Sequence, residues 1–158
     1  MRQENSKRVN GCGCLVLLIL LTPVIGVLVF SSFFLCNANK AKQSEAKQYI
    51  GSMNRAQQAK FAENGAFSNY IPDLELGIKT ETTNYKYSTR VIKQTAFNYA
   101  VSKQKTEKSY IGGVFLVPAK TTSSILCEAD DRGTIEPAEP IYQNGKVICG
   151  KGTTQVTK

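Results

Sequence analysis

The sequence predicts an α+β protein in which one long N-terminal helix packs across an antiparallel sheet. Three features predict it: an uncharged apolar stretch near the N-terminus, a segment rich in Ala, Lys and Gln directly after it, and short alternating apolar runs over the second half of the chain. A helix with one apolar face needs a cover, and a sheet can supply it. The 158 residues leave room beyond the apolar stretch for one modest domain of roughly 100 residues.

The first predicted element is an apolar helix, uncharged from Leu15 to Leu35. At ~1.5 Å rise per residue it is ~30 Å long, enough to cross a bilayer core. A cleaved secretory signal has a shorter apolar region and a small-residue cleavage site, which this stretch lacks. We therefore expect a basic leader over residues 1–14 and a transmembrane helix over residues 15–36 that anchors the chain between Leu15 and Leu35. The basic residues before the span favour a cytoplasmic N-terminus.

The helix is predicted to continue beyond the membrane as an amphipathic segment, "NANKAKQSEAKQYIGSMNRAQQAKFAEN". Its end is predicted at Asn64-Gly65, because Gly accepts the left-handed conformation of a C-cap. The polar residues Lys42, Lys47 and Asn54 are expected largely on other faces. The apolar residues of one broad face are Ala46, Tyr49, Ile50, Met53, Ala56 and Phe61.

Strands are predicted after Gly65. "NYKYSTRVI" and "AFNYAVSK" alternate with period two, so each reads as a strand with one wet face, and "SKQKTEKS" as a solvated hairpin loop. "IGGVFLVPA" is predicted to be a buried central strand up to Pro118, with "SSILCEA" as its neighbour. Asn144-Gly145 in "YQNGKVI" predicts a type I′ hairpin.

Composition argues against several classes of function. The net charge is +8 and there is no histidine, which removes His-based triads, His-ligated metals and the usual neutral-pH acid/base group. No activated nucleophile, phosphate-binding glycine loop or paired-carboxylate signature is present, so we expect no enzyme and no cofactor. Lys and Arg are spread along the chain without a basic stripe, so nucleic acid is not an expected partner.

Carboxylates cluster at Asp130 and Asp131, which raises calcium as an alternative to an ordinary turn. The spacing matches no EF-hand loop, and Asp followed by Gly133 is common in turns. We favour the turn and expect no metal site.

Five cysteines are present, and Cys127 and Cys149 follow predicted strands. If this part of the chain lies outside the cytoplasm, the two are well placed to bond, and a loop of about twenty residues would stabilise the domain by ~3 kcal/mol. The competing interpretation, two reduced thiols, requires an inverted topology. The other three cysteines lie near the predicted membrane borders.

Two stretches resemble a known family. "ANKAKQSEAKQYIGSMNRAQQAKFAENGAF" resembles the helical segment of the bacterial type IV pilin-like G/H family, and "YQNGKVICGKGTT" resembles its C-terminal end. The resemblance implies that residues 37–158 form a pilin-like domain, with a helix laid on a sheet, and that the chain is exported through the inner membrane. It also implies that Cys127 and Cys149 stand where this fold has its C-terminal bridge.

The leader resembles that of a prepilin only in part. It is basic, and its Gly11 or Gly13 would precede the peptidase cleavage site. A typical prepilin has Glu at the fifth mature position, whereas this chain has Val16 or Leu18 there, depending on the cut. A positive N-terminal amine in a filament core would then lack its partner, and a buried unpaired charge is costly.

Two functional hypotheses follow from the resemblance. The first is a minor or accessory subunit of a pilus or secretion pseudopilus, whose partners are other pilin-like subunits, the assembly machinery and membrane lipid. The second is an uncleaved, membrane-tethered pilin-like envelope or interaction protein that does not assemble. Both place the chain as a single-pass protein of the bacterial inner membrane, with its C-terminal domain periplasmic or extracellular.

Overall fold

The computed structural model describes residues 23–156 of the chain. The predicted basic leader, Gly11, Gly13, Leu15 and the first part of the predicted transmembrane helix lie outside the described residues. Within them, no helix is both long and apolar enough to span a membrane. The anchoring role of Leu15 and Leu35 therefore stays a prediction.

A long helix, α1, spans Pro23–Asn64 and has 42 residues. The chain divides into two compact units, Met1–Ala41 and Lys42–Lys158, and the described part of the first is helical throughout. The predicted end of the helix is confirmed: Gly65 adopts φ 69° and its N–H donates to the Phe61 carbonyl over 2.8 Å. Glycine accepts this left-handed conformation without a Cβ clash.

In the second unit, the strands form an antiparallel meander. A five-stranded sheet has the order β1-β2-β3-β4-β7, and β5 pairs with β6 in a separate hairpin. The bounds are β1 Tyr85–Ile92, β2 Thr95–Ser102, β3 Lys108–Val117, β4 Thr121–Arg132, β5 Ile141–Gln143, β6 Lys146–Ile148 and β7 Thr153–Gln155, with short 3-10 turns at Ile71–Leu74 and Pro118–Lys120. The helix and the antiparallel sheet confirm the α+β class.

The helix packs on one face of this sheet. Ala46, Ile50 and Met53 are fully buried, and three tyrosines of the sheet pack against them: Tyr85, Tyr87 and Tyr110. The predicted apolar face of the helix is thus correct at its centre. Asn54 was expected elsewhere, but it points at the sheet and is 5% exposed, because its amide finds polar partners there.

The expectation that each strand has one wet face is wrong for β2. Phe97 and Tyr99 are buried on the face away from the helix, and Asn98 and Ala100 are buried on the helix side. The chain after β4 covers the second face, so both sides of the central strands are dry. The sheet therefore lies between α1 and the C-terminal part of the chain.

Two further predictions need correction. The loop between β2 and β3 is solvated at Lys103 and Gln104, but Glu107 is fully buried. Its carboxylate accepts from Gln43 Nε2 over 3.0 Å and lies 3.8 Å from Lys42 Nζ, so the loop is fastened to the helix. The acidic segment that was predicted as a turn belongs to β4. This strand continues to Arg132, because Arg132 pairs with Lys108 of β3.

Candidate functional site

A disulfide closes the C-terminal part of the chain over the sheet. Cys127 is fully buried in β4, Cys149 directly follows β6, and their sulfurs are bonded across a Cα–Cα distance of 5.9 Å. This is the pairing that the sequence predicted. The bridge spans 22 residues, and in the chain-entropy model a loop of that size stabilises the fold by about 3 kcal/mol.

Residues 133–152, called the C-terminal cover below, pack on the sheet face opposite α1. Val147 and Cys149 of the cover contact an apolar cluster of β2, β3 and β4. Pro140 lies so close over Gly113 that a Cβ there would come within 2.6 Å of its Cγ. The buried members of the cluster are Phe97, Tyr99, Ile111, Phe115, Ile125 and Cys127.

A polar cluster fastens the other end of the cover to β1 and β2, on the same face of the sheet. Arg90 of β1 pairs with Glu136 and Glu139, each over 2.9 Å, and its guanidinium lies 4.9 Å from the centre of the Tyr99 ring. Tyr99 donates its hydroxyl proton to Glu139 over 2.6 Å. The hydrogen bond to Tyr99 raises the pKa of Arg90 above its ordinary value, and burial raises the pKa of Tyr99. The cover is therefore held by a disulfide at one end and by charge at the other.

Two carboxylates join α1 to the sheet. Glu45 accepts hydrogen bonds from Thr82 over 2.8 Å, from Tyr87 over 2.9 Å and from Asn84 over 3.2 Å. Because the Tyr87 hydroxyl is buried and bonded to this carboxylate, its pKa is raised. At neutral pH the phenol stays protonated and donates to Glu45.

The second carboxylate, Glu128 of β4, lies 3.4 Å from Lys47 Nζ of α1 and 2.9 Å from Lys108 Nζ of β3. Burial acts to raise the pKa of Glu128, but the two lysines outweigh it and hold that pKa below its usual range. The ionised carboxylate thus links the helix to two strands.

Helix α1 approaches the sheet closely at Gly112 of β3. Asn54 donates its side-chain amide to the Ile125 carbonyl over 2.9 Å and accepts from Asn98 over 2.9 Å. A Cβ on Gly112 would clash with the Asn54 amide and come within 2.7 Å of Ile50 Cγ2. The absence of a side chain at this position is what lets the helix lie so close.

The acidic segment does not assemble a cation site. Asp130 accepts from the Thr154 hydroxyl over 2.6 Å, while Arg132 donates to the Thr106 carbonyl. Among residues 23–156, no group of three or more His, Cys, Asp or Glu side chains is arranged to hold a metal. Hydrogen bonds to β7 and to the β2–β3 loop account for the Asp130 and Arg132 side chains.

The predicted site residues divide into two sets. In the first set, Cys127 and Cys149 are bonded to each other and Leu35 lies in α1. The second set consists of the two glycines proposed as cleavage positions, which lie outside the described residues. Sequence reasoning missed the fastening residues Glu45, Arg90 and Glu139. No local signal identifies the contacts that fasten the domain, because Glu45 lies 37–42 residues from its partners, Arg90 lies 46 from Glu136, and Glu139 lies 40 from Tyr99.

Comparison with known protein families identifies the family to which the domain is similar. The family model described as Type IV pilin-like G and H matches residues 43–150, more than half of the chain. Neither the curated proteins nor the solved structures yield a match. The matched range begins in α1, includes β1 to β6 and ends one residue after the bonded Cys149.

Proposed function

Because this chain belongs to the type IV pilin-like G and H family, we propose that it is a minor or accessory structural subunit of a pilus or secretion pseudopilus. The observation that carries the proposal is the combination, within the matched range, of a helical spine and a sheet whose C-terminal cover is closed by a disulfide. In this role the domain is displayed by its N-terminal helix, and its partners are other pilin-like subunits and the assembly machinery.

The exposure pattern of α1 supports this role. From Lys42 onward one face of the helix is buried on the sheet. On the other side, Gln48 hydrogen-bonds to Ser44, and Arg55 hydrogen-bonds to another residue of the same helix. A helix that is only half covered by its own domain keeps a face for neighbouring helices. Subunits stacked along a filament axis would use that face.

The disulfide supports a location outside the cytoplasm. Structural disulfides persist in oxidising compartments and are rare where thiols are kept reduced. A bond between Cys127 and Cys149 therefore favours a periplasmic or extracellular domain, with the preceding uncharged stretch as the single inner-membrane anchor.

A specific sequence feature supports a second candidate. Val16 or Leu18 stands at the place where typical prepilins have a glutamate, so the amine of a cleaved chain would have no carboxylate to neutralise it in a filament core. The alternative is an uncleaved, membrane-tethered domain that binds other envelope proteins through the same exposed surfaces. The two candidates differ at the N-terminus.

The intact mass of the protein from native membranes, with and without prepilin peptidase, distinguishes them. We expect a mature chain beginning at Cys12 or Cys14 only when the peptidase is present, and recovery of that chain in sheared filament fractions. Gly11→Val and Gly13→Val form a matched pair, since only the glycine at the cut should matter. An uncut Met1 chain in both strains would reject the subunit proposal and support the tether.

Restoring the missing charge gives a second test. If the mature chain begins at Cys12, Val16→Glu should increase its share in filaments, and if it begins at Cys14, Leu18→Glu should do so. The other substitution of the pair is the control, because it puts a carboxylate at the wrong depth. Cleavage without any filament recovery in either variant would show that the globular domain does not assemble.

A further inference from the structure

One edge of the five-stranded sheet is open over the first four residues of β4, Thr121–Ser124. On its inner side β4 pairs with β3 from Thr121 onward. On its outer side β7 pairs only with Cys127–Ala129, and the Val156 N–H adds one bond to the Leu126 carbonyl. Within residues 23–156, no strand lies along the outer side of Thr121–Ser124.

The backbone at this edge faces outward at alternate residues. In an antiparallel ladder, the N–H and C=O groups of every second residue point to the same side of the strand. Since the Leu126 carbonyl accepts from the β7 side, the backbone groups of Ser124 and Thr122 also point away from β3. They form a short row of donors and acceptors that another strand can pair with.

The opposite edge of the sheet is protected. The Tyr87 N–H of β1 donates to the Thr80 carbonyl over 2.8 Å, and Glu81 forms a β-bridge with Lys86. Farther along the same edge, the Val91 N–H donates to the side chain of Asn69. The segment between α1 and β1 thus supplies partners near both ends of the β1 edge, whereas no strand among residues 23–156 pairs with the outer side of Thr121–Ser124.

A groove of about 540 Å³ runs beside the open edge, between β4 and the β5–β6 hairpin. Its apolar lining includes Pro118, Ile125 and Val147, and Tyr142 is 40% exposed at its side. An added strand directs alternate side chains to one face, and such a groove can receive them.

Charge indicates which kind of strand fits. Lys146 is the one charged side chain in the described lining of the groove, and the exposed Lys120 immediately precedes β4. Of the carboxylates farther along β4, Glu128 is paired with lysines, Asp130 accepts from Thr154, and Asp131 lies near the far end of the strand. A second copy of the chain would bring the same positive charges to the edge, whereas an acidic strand complements them.

We propose that the open edge of β4 at Thr121–Ser124, with the groove beside it, receives an extended acidic segment of another protein as a sixth strand of the sheet. Main-chain hydrogen bonds supply the affinity, and the lysines and the groove select acidic residues alternating with apolar ones. This surface does not depend on filament assembly, because a tethered domain would present the same edge.

The test uses the full chain purified in detergent and a fluorescein-labelled, end-blocked peptide, Val-Asp-Val-Glu-Val, with Val-Lys-Val-Lys-Val as its control. Anisotropy should show about fivefold tighter binding of the acidic peptide, the scale of one or two exposed ion pairs. Amide hydrogen exchange at Thr122 and Ser124 should slow on binding, while exchange at Val114 of β3 should not change.

Two pairs of variants localise the contact. Lys146→Glu should weaken the acidic peptide about fivefold and favour the basic one, whereas the matched variant Lys151→Glu, outside the groove, should change neither. Ser124→Pro removes an outward N–H, which edge strands tolerate, and should abolish protection of Thr122. If Ser124→Pro does not fold, the lysine pair still decides the question.

Three results would overturn the proposal. Equal binding of both peptides would remove the charge selection. Concentration-dependent protection of Thr122 and Ser124 without peptide would show that a second copy occupies the edge. Protection of both amides in the dilute chain alone would show that the chain covers its own edge.

Discussion

Replacing Gly112 by Ala should strongly destabilise the helix-to-sheet packing. The new Cβ would lie 2.7 Å from Ile50 Cγ2, closer than the ~3.5–4.0 Å at which carbon atoms pack. Overpacking of this kind costs about 1–3 kcal/mol. The clash also displaces the Asn54 amide from Ile125 and Asn98, and two buried hydrogen bonds add about 2 kcal/mol. The expected loss is about 3–5 kcal/mol, a large part of the stability of an ordinary domain.

Urea unfolding of the full chain in detergent, followed by tyrosine fluorescence, measures this loss because the chain has no tryptophan and 7 tyrosines. Gly51→Ala is the matched control: its Cβ meets only Arg55 at 3.6 Å, so the higher helix propensity of Ala should stabilise by about 0.5–1 kcal/mol. A Gly112→Ala chain within about 1 kcal/mol of the parent would refute the reasoning, since overpacking alone costs that much.

Two further changes test the fastenings of the domain. Cys149→Ser should lower the free energy of unfolding by about 3 kcal/mol and expose the C-terminal cover to protease. Cys127→Ser should destabilise the domain more, because the new hydroxyl would be fully buried. Unchanged protease digestion of both variants would contradict the bridge. Glu128→Gln should cost about 1 kcal/mol at neutral pH by removing the link between Lys47 and Lys108. Because the folded pKa of Glu128 is lowered, its stabilisation is present above the unfolded pKa and lost as pH falls through the folded pKa. The melting temperatures of the parent and of Glu128→Gln, measured across pH 3–7, should therefore converge in acid. Glu81→Gln, at an exposed position, is the control and should change the melting temperature little. A difference between the parent and Glu128→Gln that widens in acid would contradict the role assigned to Glu128.

The sequence by itself determined the elements whose causes are local. The end of α1 follows from Asn64-Gly65, and the β5–β6 turn follows from Asn144-Gly145, where both residues have positive φ. The apolar spacing located the buried face of the helix, and the run up to Pro118 located β3. Each of these depends on backbone preference or periodicity within a few residues, which the sequence states directly.

Only the tertiary structure decided where the polar residues lie. Asn54 and Glu107 look like solvated residues in the sequence, yet both are buried, because Asn98, Ile125 and Gln43 supply their hydrogen bonds. The two-sided burial of β2 likewise depends on a cover that arrives about 40 residues later. Most buried polar side chains are hydrogen-bonded, and the partners of Asn54 and Glu107 lie 44 to 71 residues away, a pairing that chain order does not contain.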